Sequence, residues 1–159
     1  MKIAAVVVLS ACIAGAGCLY CSELKAKMRQ IEYFLAFLSF AKSEVSFSGI
    51  SVLEIVRKYT LLYPKQLPFL EGCREPVSEH VRASLKDNKA LNEHQKQSVT
   101  AFFDLFGRGD EQASIRLIAH TIDVFDTEYR QISVQTLERI KLVRRLSFLA
   151  AAAAAIMFI

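Results

Sequence analysis

Charge is missing from both ends of this chain: no Asp, Glu, Lys or Arg lies between Ile3 and Ser22, and none follows Arg145. Breakers are scarce too, with three prolines and six glycines in 159 residues and neither type from Glu111 onward. No Gly-Lys-Ser/Thr occurs, and Gly107-Arg108-Gly109 lacks both a third glycine and a preceding strand, so a phosphate-cradling loop is excluded. No serine sits in a Gly-x-Ser-x-Gly elbow. Cys18 and Cys21 have the spacing of a metal or redox pair, but no second pair joins them, and Cys73 stands alone. His80, His94 and His120 are not spaced four residues from any second ligand. There is no internal repeat, low-complexity linker or strand-period segment. The expectation is a protein without catalytic site, cofactor or metal of its own.

What is present is concentrated apolar sequence. Hydrophobic residues make up 53% of the chain and mean hydropathy is +0.28 despite 23% charged residues, and the excess sits at the termini. The run from Ile3 to Ser22 covers twenty positions, which at ~1.5 Å per residue is about the ~30 Å of a bilayer's hydrocarbon layer. At the other end, fourteen uncharged residues from Leu146 to Ile159 fall short. A second span there needs Leu142 and Val143, with Arg144 and Arg145 snorkelling to the headgroups. Ala11 with Gly15, or Ala14 with Cys18, are small residues four apart that could let the two helices approach closely. Lys25, Lys27 and Arg29 follow the first run, and Arg139, Lys141, Arg144 and Arg145 precede the second. The positive-inside rule then places the middle in the cytoplasm of a bacterial cell. Two alternatives involve export. Ala14-Gly15-Ala16 has the form of a signal-cleavage site, and Leu9-Ser10-Ala11-Cys12 that of a lipid-attachment box. The cations at 25, 27 and 29 would resist export, which favours a retained anchor.

The middle reads as helices. Leu24, Met28, Ile31, Leu35 and Leu38 step by four and three, with Phe34, Phe37 and Phe40 widening the face. The glycine-interrupted segment Ser43–Ile50 ends that helix, and Ser51-Val52-Leu53-Glu54 has capping-box form, so the next helix runs from Ser51 to about Leu62. Pro64, Pro68, Gly72 and Pro76 make a connection with at most one short helical turn. Further helices are expected over Ser78–Leu85 and from the Asn92 cap to Phe106. Gly107-Arg108-Gly109-Asp110 is a turn and cap. Beyond it Ile115, Ile118, Ile122, Phe125, Tyr129 and Ile132 form a seam on one long helix that can continue through Val143 into the membrane.

The expected fold class is therefore all-α: an antiparallel helical bundle of four to six helices with an N-terminal and a C-terminal transmembrane helix. The expected divisions are residues 1–22 as the first membrane helix, 23–143 as a cytoplasmic bundle and 144–159 as the second membrane helix. Asp123, Asp126 and Glu128 read as a solvated face. The net charge of +4 is accounted for by cations flanking the apolar ends, so no nucleic-acid partner is expected.

Over essentially its whole length the chain resembles the stage III sporulation protein AB family, within the wider group of type II secretion F-like platform proteins. The resemblance rests on Lys42-Ser43-Glu44-Val45-Ser46-Phe47 followed by Val52-Leu53-Glu54, on Leu105-Phe106-Gly107-Arg108-Gly109-Asp110 with Gln112, and on Lys141-Leu142-Val143-Arg144-Arg145-Leu146 before the apolar tail. It implies a non-enzymatic scaffold in the mother-cell membrane, part of a secretion-like channel to the forespore. The implied partners are a secretion-type ATPase on the cytoplasmic side and other channel proteins, with self-association left open. The bundle would convert ATPase binding into ordering of the membrane helices. Glu44, Glu54, Arg108 and Asp110 are the candidate contact positions, helix capping being the simpler account of Glu54 and Asp110. Remaining alternatives are a secretion or pilus platform outside sporulation and an exported, membrane- or lipid-anchored helical protein.

Overall fold

The computed structural model of the chain describes residues 2–157, excepting the side chains of residues 2–11, 13, 14, 48, 144, 148, 150, 151 and 153–157. The order is α1 (Lys2–Ser48), α2 (Val52–Leu62), a 3-10 turn (Pro68–Leu70), α3 (Val77–Lys86), α4 (Glu93–Leu105) and α5 (Glu111–Met157). No strand occurs among the described residues, so the chain is all-helical. The two transmembrane helices expected at the ends find no support here, because among the described residues no helix is long and apolar enough to cross a membrane. Of the apolar runs 3–22 and 146–159, the side chains of residues 3–11, 13, 14, 148, 150, 151 and 153–159 lie outside those described.

Two compact units are present, one made of Arg29–Tyr129 and the other of the segments before and after it. Local chemistry sets the helix boundaries of the first unit, the body. Gly49, with φ +56°, ends α1 in the left-handed conformation that a residue without Cβ adopts at least cost. The helix therefore runs through Ser43–Phe47, which the glycine-interrupted pattern had made the break, because Ala41 and Val45 are buried and extend its packed face. Ser51 accepts from the Glu54 N–H at 3.3 Å and starts α2 as expected. Asn92 caps α4 in a full capping box with Gln95: the Asn92 side chain accepts from the Gln95 N–H at 2.8 Å, and the Gln95 side chain accepts from the Asn92 N–H at 3.1 Å.

Phe34 sits at the centre of the body's core. Its ring centroid lies 6.1 Å from Phe37, 6.5 Å from Phe69 of the 3-10 turn, 6.0 Å from Phe102 on α4 and 4.9 Å from Phe125 on α5. Phe37 carries the cluster on to Tyr59 on α2 at 5.2 Å and Phe103 at 5.7 Å, in the tilted and edge-to-face geometries that aromatic quadrupoles favour. On α5 the buried row is Ser114, Ile118, Thr121 and Phe125, spaced by four, three and four. The expected seam is thus rotated: Ile115, Ile122, Tyr129 and Ile132 are only partly covered. Thr121 can lie inside because its hydroxyl donates to the Leu117 carbonyl at 2.8 Å.

In the second unit Cys21, Thr136 and Ile140 are buried, while Leu19, Leu142, Leu146 and Leu149 are exposed. The close approach between its helices falls at Gly17, where an added Cβ would run into the side chain of Ser147 and come within 3.8 Å of Val143. Gly15, expected to serve that purpose, has open space instead. Residues two apart on a helix point to opposite sides, so only one of the two glycines can face the partner segment.

Candidate functional site

Tyr129 and Glu32 define one end of the body. The Tyr129 hydroxyl donates to the Glu32 carboxylate at 3.3 Å, placing the exit of the chain on α5 beside its entry on α1. At the same level Gln30 donates to the Gln66 carbonyl at 3.3 Å, and the Tyr59 hydroxyl, with one proton to give, lies 2.9 Å from the Gln66 side-chain oxygen and 3.2 Å from the Tyr33 carbonyl. Burial pushes the Tyr59 hydroxyl up to about 12 from its ordinary 10.0, with lesser contributions from Tyr63 and Tyr33.

The opposite end is made by the finish of α1, the start of α2, the finish of α4 and the start of α5. Gly107, with φ +84°, lets the α4–α5 turn approach so closely that a Cβ there would collide with Val52. The four segments line a half-open cavity of about 300 Å³, bordered chiefly by Val45, Ile50, Val52, Phe106, Glu111 and Ser114. Beyond it two large apolar side chains face solvent, Phe47 at 88% exposure and Leu105 at 57%.

The structure brings Glu54, Arg108 and Asp110 to this end and gives them different employment. Asp110 is a cap: its carboxylate accepts from the Ala113 N–H at 2.7 Å, and its backbone carbonyl accepts from the Ser114 N–H at 3.0 Å. Glu54 supplies the N–H that Ser51 caps, while its side chain stands exposed in the first turn of α2, where a carboxylate suits the helix dipole. Arg108 is exposed; its backbone N–H closes the turn on the Leu105 carbonyl at 3.2 Å. Glu44 is set apart from the other three. Its side chain is 14% exposed and paired with the Lys58 ammonium at 2.7 Å, tying α1 to α2, so its charge is already matched within the body.

Phe47 and Leu105 were not singled out among the candidates. Phe47 could have been, since it closes the motif Lys42–Phe47 just before the break at Gly49, where a helix face runs out of neighbours. Leu105 could not, because an apolar residue in a helical period reads as core. Elsewhere, Glu128 joins α4 to α5, accepting from the Gln95 amide at 3.3 Å and lying 3.1 Å from His94 Nδ1. Among the described residues no three His, Cys, Asp or Glu side chains group as metal ligands.

No curated protein and no solved structure matches the chain. The family model described as Stage III sporulation protein AB, by contrast, matches residues 2–159, and the chain, an all-helical protein whose entry and exit lie together at one end of its body, belongs to that family.

Proposed function

We propose that this stage III sporulation protein is a platform subunit of the channel between mother cell and forespore. Its apolar ends hold it in the mother-cell membrane, and the Phe47–Arg108 end of its body is offered to a secretion-type ATPase in the cytoplasm. The observation that carries this reading is the separation of the two ends of the body: the chain enters and leaves at Glu32 and Tyr129, whereas Phe47, Leu105 and Arg108 are exposed at the other. A phenylalanine and an arginine both exposed at one end of the body are residue types of which contact hot spots are made. Membrane attachment is supported by the uncharged run Ile3–Ser22 and the cations that follow it. The role is that of a scaffold that orders other channel proteins and performs no chemistry itself. Because α5 runs unbroken from Glu111 to Met157, ATPase docking at its start would be transmitted along it. A flexible glycine insert near Val143 is then expected to stop channel function while the body stays folded.

The test is the double variant Phe47→Ser, Arg108→Ala in the full chain, read by co-purification with the ATPase and by spore yield. Truncating a hot spot costs about 2 kcal/mol, more than ~tenfold in affinity, so loss of both readouts is expected at unchanged thermal stability. Retained co-purification and spore yield would overturn the docking assignment. Topology is read separately by thiol labelling. Cys73 is unsuitable as a reporter, being buried, with burial pushing its thiol up. A cysteine at position 47 in an otherwise cysteine-free chain serves instead, and is expected to label only after the membrane is permeabilised; labelling in intact cells would move the reading to an exported protein.

A further inference from the structure

The half-open cavity at the Phe47 end of the body has a mostly apolar wall, made by Val45, Ile50, Val52 and Phe106, and two polar side chains break it. The first is Ser114 on α5. It is 8% exposed, its N–H donates to the Asp110 carbonyl at 3.0 Å, and its hydroxyl has no hydrogen-bond partner among the described residues. Buried hydroxyls are normally satisfied, so one left over at a cavity wall is a group without its partner. The second is Glu111, three positions earlier and therefore on the same side of the helix. It is exposed, makes no ion pair among the described residues, and is the one charged side chain of the lining. The volume, about 300 Å³, is at the low end of the ~300–1,000 Å³ of ligand cavities, which suits one long side chain better than a cofactor.

We infer that this cavity is a socket for a single basic side chain, lysine or arginine, carried by the docking partner. The inference deepens the docking reading above and rests on it for the identity of that partner. The methylene stem of such a side chain lies against Val45, Ile50, Val52 and Phe106, and its charged head donates to the Ser114 hydroxyl and the Glu111 carboxylate. A wholly apolar side chain would leave the Ser114 hydroxyl buried and unpaired. An acidic one would meet Glu111 with no cation in the lining to oppose it. The starts of α2 and α5 border the cavity, and helix N-termini attract anions. Here that attraction is already matched, because the Asp110 carboxylate caps α5 and Glu54 and Glu111 stand in the first turns of the two helices. The cations nearest in sequence do not fill the socket. Arg108 lies outside the lining, and Arg116 donates its Nε–H to the Gln112 carbonyl at 3.2 Å.

The experiment titrates the full isotope-labelled chain in detergent with three probes, the Nα-acetyl methylamides of lysine, norleucine and glutamate, and follows the amide signals of Val52, Gly107, Gly109 and Ser114. The lysine probe is expected to shift these signals saturably, norleucine to bind about tenfold more weakly for want of the charged head, and glutamate not to bind. Glu111→Gln, an exposed change that leaves the fold intact, is expected to weaken the lysine probe by about tenfold, and Ser114→Ala to weaken it further. Norleucine binding as tightly as lysine, or a glutamate probe that binds, would overturn the socket. Co-purification of the ATPase is then compared between the Glu111→Gln, Ser114→Ala chain and the Phe47→Ser, Arg108→Ala chain, with Glu111→Gln alone carrying the comparison if the first does not fold. Loss in both is the expected result. Loss only in the Phe47→Ser, Arg108→Ala chain would leave the docking reading standing and refute the socket. Retention in both would refute the docking reading and the socket with it.

Discussion

Glu32 and Tyr129 lie ninety-seven positions apart in sequence and 3.3 Å apart in space, and that one bond closes the body by setting its exit beside its entry. Burial raises the Tyr129 hydroxyl above its ordinary value, and the charge and hydrogen bond of Glu32 raise it further. Changing Glu32 to Gln is expected to bring the Tyr129 titration down partway, since burial remains. Tyr129→Phe is expected to cost about 0.5–1.5 kcal/mol of stability. Difference absorbance of the phenolate and denaturant unfolding check the two effects; an unchanged Tyr129 titration in Glu32→Gln would count against the contact.

Tyr59 makes a stronger case because it is almost wholly enclosed, at 1% exposure, and its one hydroxyl proton lies between two acceptors, the Tyr33 carbonyl and Gln66 Oε1. Its hydroxyl titrates near about 12 in the folded chain against 10.0 unfolded, so the folded state holds that proton more tightly. The stability it supplies is complete below pH 10.0 and is lost as pH rises from there toward about 12. Melting temperature is expected to fall steeply across that window, and Tyr59→Phe to flatten the fall while costing stability at neutral pH.

Two glycines separated by one residue are expected to respond oppositely. Gly15 meets nothing, so Gly15→Ala is expected to be neutral or to stabilise α1 by up to ~1 kcal/mol through helix propensity. At Gly17 the same change drives a methyl group into Ser147 and is expected to destabilise the helix pair by about 1–3 kcal/mol, as overpacking does. Thermal unfolding in detergent separates them, and equal responses would mean the pairing is wrong.

Gly107 combines a left-handed backbone with a collision against Val52. Gly107→Ala is expected to cost about 1–2 kcal/mol from conformation alone, plus the collision. Adding Val52→Ala should restore the second part and not the first. A double-mutant cycle by denaturant unfolding reads the difference; strict additivity would deny that the two residues touch.

Much of the secondary structure was legible because it is written in near neighbours. Ser51, Asn92 and Asp110 cap helices through bonds reaching no more than three residues along the chain, and Gly49 and Gly107 stop helices through their own φ angles. The 3-10 turn at Pro68–Leu70 fell inside the segment where the prolines at 64, 68 and 76 allow one short turn. The family was legible for the same reason, since its motifs are those turns and caps.

What the sequence alone determined about this protein is therefore its helical class, its caps and breaks, and its family. Only the tertiary structure decided which apolar residues are core and which are surface, because the letters are the same: Phe34 is wholly buried and Phe47 88% exposed on one helix. The same holds for Glu44, which in sequence is a free acid and in the fold is the partner of Lys58, fourteen residues away. It also decided that Ser114 and Thr121 turn inward on α5 while Ile115 and Ile122 stay half-covered, and that Gly17 rather than Gly15 meets the opposite helix. Periodicity says that a helix has an apolar side. The rotation of that side, and what covers it, depend on segments as distant as Ser147 is from Gly17, and their packing is resolved only when all of them are in place.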